Sequence, residues 1–138
     1  MNPTVERVQD FTASAHIRVA IVGGGACGLT AALTLHHLGV DCVVLERDAL
    51  PSGSTALSSG FVPAAGTQAQ HAQNIEDSAQ VFAQDIQNKA HGRACDVLVQ
   101  AYSQAIGPAV DFLAQHHGIP WHVLDGFLYP GHSVHRMH

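Results

Sequence analysis

Three consecutive glycines, residues 23–25, directly follow a short apolar stretch near the start of the chain. The preceding residues 17–22 are apolar and mostly β-branched apart from Arg18, which is typical of a strand covered on both faces. A helix is predicted to begin at Gly25 or Ala26 and to end at Gly39. Residues 40–45 predict a second buried strand, so the segment should form strand, glycine turn, helix and strand.

The spacing Gly23-x-Gly25-x-x-Gly28 gives each glycine a separate role. The first permits a tight turn, the second lets the backbone approach a pyrophosphate, and the third lets the helix pack closely on the strand. Glu46 ends the second strand, where a carboxylate can accept hydrogen bonds from ribose hydroxyls and disfavours the 2′-phosphate of NADP. The pattern therefore predicts a dinucleotide site with its phosphates at the helix N-terminus; an ordinary glycine-rich turn is the alternative.

Charge and length exclude several classes of partner. The 138 residues suit about one domain, and six basic against eleven acidic side chains give a net charge of -5. Nucleic acid and anionic membranes are therefore not expected partners. Residues 19–40 are uncharged and long enough on paper to cross a bilayer, but the glycine cluster and the His36–His37 pair argue against a membrane span.

The cysteine usage and the N-terminus predict a cytoplasmic protein. Cys27, Cys42 and Cys95 are odd in number and lack metal-site spacing, which suits a reducing compartment. Residues 1–16 carry acidic side chains without a signal-peptide pattern and predict a flexible arm. Cys27 stands at the helix start, where a thiol pKa can be lowered; the alternative is that it is merely small enough to fit.

The stretch "PSGSTALSSGFVPAAGTQAQ", residues 51–70, has the composition of a flexible linker. Leu57, Phe61 and Val62 are interleaved with its small hydroxyl residues. This pattern predicts an ordered loop that brings backbone and hydroxyl donors close to a bulky ligand.

Three segments, "VAIVGGGACGLTAAL", "VVLERD" and "GSTALSSGFVPAAGT", resemble the N-terminal part of the FAD-dependent fumarate reductase and succinate dehydrogenase flavoprotein superfamily, which includes 3-ketosteroid dehydrogenases. The resemblance implies an α/β, Rossmann-like FAD/NAD(P)-binding domain over residues 17–138, incomplete, with added helices and a small hairpin. It also implies FAD as cofactor and a small organic substrate for the full-length family.

The resemblance also implies which residues hold the cofactor. Cys27 and Gly28 would face the pyrophosphate and Glu46 the ribose, while the hydroxyl-rich loop would reach the pyrophosphate and the flavin ring. The full implied set is Gly23, Gly25, Cys27, Gly28, Glu46, Arg47, Ser54, Thr55, Ser59 and Gly60. No catalytic residue is implied, because the family's proton-delivering arginine has no counterpart in these 138 residues.

Two further helices and a hairpin are predicted downstream. Asn74 is expected to cap a helix with an apolar stripe of Ile75, Ala79, Phe82 and Ile86. A second helix carries Val97, Leu98, Ala101, Tyr102 and Ala105 and is expected to break at Gly107–Pro108. Another helix, ending in glycine, is expected to lead into strands, and Asp125–Gly126 predicts a tight hairpin turn between "HVL" and "FLY".

The chain end carries His132, His135 and His138 at intervals of three. No carboxylate or cysteine joins them, so no metal site is expected. By the resemblance, His135 and Arg136 could lie toward substrate and flavin.

The leading hypothesis is an FAD-binding segment of an oxidoreductase that moves hydride to or from a carbon next to a carbonyl or carboxylate. The family's chains are several times longer, so this chain is expected to be a fragment that holds FAD weakly, lacks turnover and associates through an exposed stripe of Ile75, Phe82 and Ile86. The alternatives are a small NAD-binding module and an inactive fragment with an interaction role.

Overall fold

The computed structural model describes residues 16–50 and 52–138, which form two compact units. The first unit ends at Ala56 and the second comprises Leu57–His138. The expected arm of residues 1–16 lies outside the described residues except for His16. The elements, in chain order, are β1 (Val19–Val22), α1 (Ala26–His37), β2 (Cys42–Leu45), α2 (Ser54–Leu57), α3 (Gln68–Ala72), α4 (Ala79–Lys89) and α5 (Asp96–His117).

The first unit has the predicted order of strand, glycine turn, helix and strand. β1 and β2 are parallel neighbours, with Val19 opposite Cys42 and Val22 opposite Leu45. After α1, Gly39 adopts a φ of +68°, a conformation that suits glycine after a helix. The parallel pairing brings the glycine turn after β1 and the acid after β2 to the same end of the sheet.

The prediction that both strands are buried is wrong. Val22 is 86% exposed and Leu45 is 52% exposed, and α1 contains no buried residue. All buried apolar side chains of the described residues belong to the second unit. Two strands and one long helix are too few elements to enclose a core. No helix within the described part of the chain is long and apolar enough to cross a membrane.

The second unit contains the core, and α4 packs on α5 there. Phe82, from the predicted stripe, is only 2% exposed, so the expected association through that stripe has no support here. The predicted cap at Asn74 is wrong, because Ser78 caps α4 by accepting a hydrogen bond from the Val81 N–H at 3.2 Å. The buried apolar side chains are Ala64, Ala65, Phe82, Ala83, Val99, Val110, Val123 and Met137.

α5 continues through Pro108, so the predicted break at Gly107–Pro108 is wrong. Gly107 is buried, and a Cβ there would overlap the carbonyl oxygen of Ala65. The glycine therefore serves close packing between α5 and the loop before α3, not helix termination. The helix ends at Gly118, whose φ is +66° and whose N–H bonds to the Ala114 carbonyl, as the glycine ending predicts.

The predicted hairpin at Asp125–Gly126 does not form. The described residues after α5 contain no strand, and the Leu124 N–H bonds to the Met137 carbonyl at 2.9 Å. Residues 62–64 pair antiparallel with residues 136–138 through a bridge between Pro63 and Met137. The backbone partners of this region are therefore distant in sequence, which a local turn signal does not reveal.

A buried cation ties the chain end to α4. The Arg136 side chain is 0% exposed, and it donates to both carboxylate oxygens of Asp77 at 2.9 Å and to Asp85 at 2.7 Å. Its guanidinium also lies 4.6 Å from the centre of the Phe82 ring. Burial raises the pKa of Asp85, but hydrogen bonds from Ser133 and Arg136 outweigh it and hold that pKa below its ordinary value.

We expect Arg136→Gln to lower the free energy of unfolding by roughly 3 kcal/mol or more, because two buried carboxylates lose their cation. Arg47→Gln is the matched control, since Arg47 pairs with Asp48 on the surface and its side chain is 89% exposed. That change should leave stability nearly unaltered. Chemical denaturation of both variants without cofactor measures the difference, and equal stabilities would contradict a stabilising role for the buried cluster.

Candidate cofactor site

Two glycines of the turn are required by the protein's own geometry. Gly23 has a φ of +101°, in the region that favours glycine. A Cβ on Gly28 would overlap the Gly23 carbonyl oxygen and would lie 3.2 Å from the Ile21 side chain. The first glycine therefore permits the turn, and the third permits the close approach of α1 to β1.

Gly25 is different, because nothing in the protein requires a glycine there. It caps α1 with φ -80° and ψ -178°, which any residue can adopt, and it is exposed. The nearest atom to a Cβ at this position would be Thr55 Oγ1, at an acceptable 3.4 Å. The missing side chain leaves room above the helix N-terminus, which fits the approach of a phosphate group.

The helix N-terminus offers free donors beside this space. The Ala26 N–H bonds to Thr55 Oγ1 at 3.0 Å, and the Leu29 N–H bonds to the Gly25 carbonyl at 2.9 Å. Within the described residues, the N–H groups of Cys27 and Gly28 have no hydrogen-bond partner. Two unpaired donors at the positive end of a helix suit an anionic ligand.

Glu46 lies directly beside the turn. Its Oε2 accepts a hydrogen bond from the Gly24 N–H at 2.7 Å, and its Oε1 accepts one from the Asp48 N–H at 3.2 Å. These two backbone hydrogen bonds hold the pKa of Glu46 below its ordinary value. Glu46 is therefore an ionised acceptor at neutral pH, and it orders the turn as well as facing solvent.

An open cavity of about 230 Å³, the first-unit cavity, connects these features. It brings together five residues of the sequence prediction, while Gly23, Cys27 and Gly28 form the adjoining turn and helix start. Ser59 and Gly60 belong to the second unit, where they line a different cavity. The five predicted residues lining the first-unit cavity are Gly25, Glu46, Arg47, Ser54 and Thr55.

Asp48, which the sequence prediction missed, also lines the first-unit cavity. Its carboxylate pairs with Arg47 at 3.1 Å and accepts a hydrogen bond from the Ser52 hydroxyl at 2.6 Å. The hydrogen bond from Arg47 is the larger cause, and with that from Ser52 it lowers the pKa of Asp48. The site therefore holds two ionised acids, Glu46 and Asp48, and one cation, Arg47. Its position directly after "LER" was the signal available in the sequence.

The histidines at the chain end do not form a metal site. Among residues 16–50 and 52–138, no three His, Cys, Asp or Glu side chains are placed to hold a metal ion. The Arg136 guanidinium is fully buried and paired with Asp77 and Asp85. Cys27 is exposed at the second position of α1.

Comparison with known proteins decides the family. Residues 18–136 match the family described as FAD binding domain. The chain belongs to this family. FAD is therefore the cofactor of this chain. The alternative of an NAD-binding module loses its support.

Fumarate reductases are among the relatives that the chain matches. A fumarate reductase of Schizosaccharomyces pombe is 30% identical over 118 residues, which are 86% of this chain and 23% of the relative. The open conformation of a flavocytochrome c3 fumarate reductase shares the fold with a TM-score of 0.74 at 24% identity, over 91% of this chain and 22% of that protein.

A 3-ketosteroid-Δ4-(5α)-dehydrogenase from Rhodococcus jostii RHA1 has a TM-score of 0.64 at 27% identity, over 75% of this chain and 21% of that chain. The resemblance found in the sequence is thereby confirmed. The chain spans about a fifth of the length of the proteins it matches.

We expect Gly25→Val to abolish measurable binding of ADP while leaving the protein folded, because the new side chain would occupy the space beside the free N–H groups. Gly126→Val is the control, since a Cβ at Gly126 meets no atom within 4 Å and the residue lies in the second unit. Isothermal titration calorimetry with ADP measures both. Unchanged affinity in Gly25→Val would refute the phosphate assignment.

Proposed function

We propose that the first unit holds the ADP half of FAD, with the pyrophosphate on the Cys27 and Gly28 N–H groups and the ribose at Glu46. The observation that carries the proposal is Gly25: its backbone and packing allow a side chain, yet it leaves open the space beside two unpaired donors. A bound phosphate explains both features at once.

Each surrounding residue then has a defined task. Glu46 uses one lone pair of each carboxylate oxygen on the backbone, so both oxygens can still accept from ribose hydroxyls. Thr55 fixes the start of α1 through the Ala26 N–H, and Ser54 offers a second hydroxyl beside it. Arg47 offsets the negative charge that Asp48 adds near the phosphates.

The proposed reaction is hydride transfer in a flavin-dependent oxidoreductase. FAD, when bound, exchanges a hydride with a carbon next to a carbonyl or carboxylate. Ser59 and Gly60 are proposed to approach the flavin ring. Because the chain matches about a fifth of its relatives' length, its proposed contribution is confined to holding the cofactor, and turnover by this chain alone is not expected.

A reducing compartment, the cytoplasm, is proposed as the location. Cys27, Cys42 and Cys95 are all free thiols in the structure, which is the state that such a compartment maintains.

The proposal predicts that the chain binds FAD and ADP, and binds NAD⁺ more weakly. Glu46→Gln should weaken ADP binding roughly tenfold, because a charged acceptor for the ribose is lost. Glu76→Gln, at an exposed residue of the second unit, is the matched control and should leave affinity unchanged. Quenching of flavin fluorescence and titration calorimetry provide the measurements. Tight NAD⁺ binding without FAD binding would refute the proposal.

A further inference from the structure

His138 lies at the end of a buried hydrogen-bond network in the second unit. Its N–H donates to the Val62 carbonyl at 2.9 Å, and the Val62 N–H donates to the His138 carbonyl at 3.0 Å. The residue is only 6% exposed. Its two ring nitrogens contact Arg136 and Thr67, which are both fully buried. The protonation state of this ring therefore has to match both partners.

The two ring partners select the neutral tautomer with its proton on Nδ1. His138 Nδ1 lies 3.0 Å from the Arg136 carbonyl oxygen, which only accepts, so Nδ1 carries the hydrogen. The same carbonyl also accepts from the Ala64 N–H at 2.9 Å. His138 Nε2 lies 2.7 Å from Thr67 Oγ1 and accepts the hydroxyl hydrogen. The Thr67 oxygen in turn accepts from the Gln70 N–H at 3.1 Å, so the hydroxyl both donates and accepts.

A second proton on the His138 ring would leave the Thr67 hydroxyl hydrogen without an acceptor. With a proton on Nε2, the ring donates to Thr67 Oγ1, which already accepts from the Gln70 N–H. Both lone pairs of that oxygen are then used, and its own hydrogen has to point elsewhere. Thr67 is 0% exposed, and its hydroxyl has no further partner among the described residues. Because a buried donor without an acceptor is unfavourable, the packing disfavours the charged ring.

Charged groups around His138 act in the opposite direction and do not outweigh burial. Burial is the largest effect and holds the pKa of His138 below its ordinary value, although the carboxylates of Asp111 on α5 and Asp77 before α4 favour the charged ring. The Arg136 guanidinium is neutralised by its own acid partners. Further titratable side chains on the adjoining segments are the exposed His71 and His122 and the half-buried His135.

We propose that His138 is a pH-sensitive switch: the neutral ring holds residues 62–64 against residues 136–138, and protonation in mild acid releases them. An unfolded histidine takes up its proton near pH 6.5, and the folded ring does so only at lower pH. The stabilising contribution of His138 is therefore present above about pH 6.5 and is lost as the pH falls toward the pKa of the folded ring. This switch goes beyond the proposed function and does not depend on it, since no cofactor contact is involved.

His138→Gln is the variant that does not titrate, since the glutamine side-chain oxygen can accept from the Thr67 hydroxyl at any pH. His122→Gln is the matched control, because His122 is an exposed histidine of the same unit. Chemical denaturation without cofactor, followed by the fluorescence of Trp121, the single tryptophan, gives unfolding constants at pH 7 and pH 5. The constants of the unaltered chain and of His122→Gln should rise roughly tenfold more than that of His138→Gln. His132, whose pKa is also lowered by burial, is present in all three proteins and cancels from the comparison. An equal rise in all three would overturn the inference.

A second measurement uses the unaltered chain and covers the case in which His138→Gln does not fold. Two-bond ¹H–¹⁵N correlation spectra should show the His138 ring neutral, with its proton on Nδ1, at pH 7. Between pH 7 and pH 5, hydrogen-exchange protection of the Val62 and Ala64 amides, corrected for the intrinsic effect of pH, should fall roughly tenfold as the ring titrates. The Gly23 amide, which bonds to Leu45 in the first unit, should keep its protection. A proton on Nε2 at pH 7, or unchanged protection of Val62 and Ala64, would overturn the inference.

Discussion

Arg136 is a fully buried cation whose guanidinium binds Asp77 through two nitrogens and Asp85 through the third. Because a buried charge is tolerated only with good partners, this cluster fixes where residues 133–138 lie against α4. The same segment pairs with residues 62–64 and carries His138 to the Thr67 hydroxyl. The position of His138 therefore depends on this ion cluster.

The first unit is stabilised by backbone constraints and not by a buried ion cluster. It contributes no buried apolar side chain among the described residues, and its shape follows from backbone constraints. Gly23 turns the chain, Gly28 lets α1 approach the Gly23 carbonyl, and Glu46 accepts the Gly24 N–H. These constraints leave two helix N–H groups unpaired beside the space at Gly25, which is the feature that the cofactor assignment uses.

The sequence predicts elements whose contacts are local, and it fails where a local signal is overridden by a contact distant in the chain. The turn, α1 and the acid after β2 follow from spacings within about thirty residues, where geometry is largely set by the backbone. The glycine before Pro108 predicts a helix end in sequence, because the Ala65 carbonyl that packs against it is 42 residues away along the chain. Likewise, Asp125–Gly126 gave a hairpin signal although the Leu124 N–H is paired with Met137.

For the site residues too, proximity set by a local motif is predictable and proximity set by distant contacts is not. Gly25, Glu46 and Thr55 could be placed near one another from a motif and a family resemblance. The Arg136 cluster could not, since Asp77 and Asp85 are 59 and 51 residues away and each looks like an ordinary surface acid in sequence. The burial of β1 and β2 was overestimated because apolar strands imply covering elements that the described residues of the first unit do not provide.

The most direct test of the central claim is the backbone amide spectrum of the ¹⁵N-labelled chain during titration with ADP. We expect saturable downfield shifts of the Cys27 and Gly28 N–H signals, because these unpaired donors would bind the diphosphate. We also expect these two signals to shift at lower ADP concentrations than any amide signal of the second unit. Saturation by ADP with both signals unmoved would contradict the account.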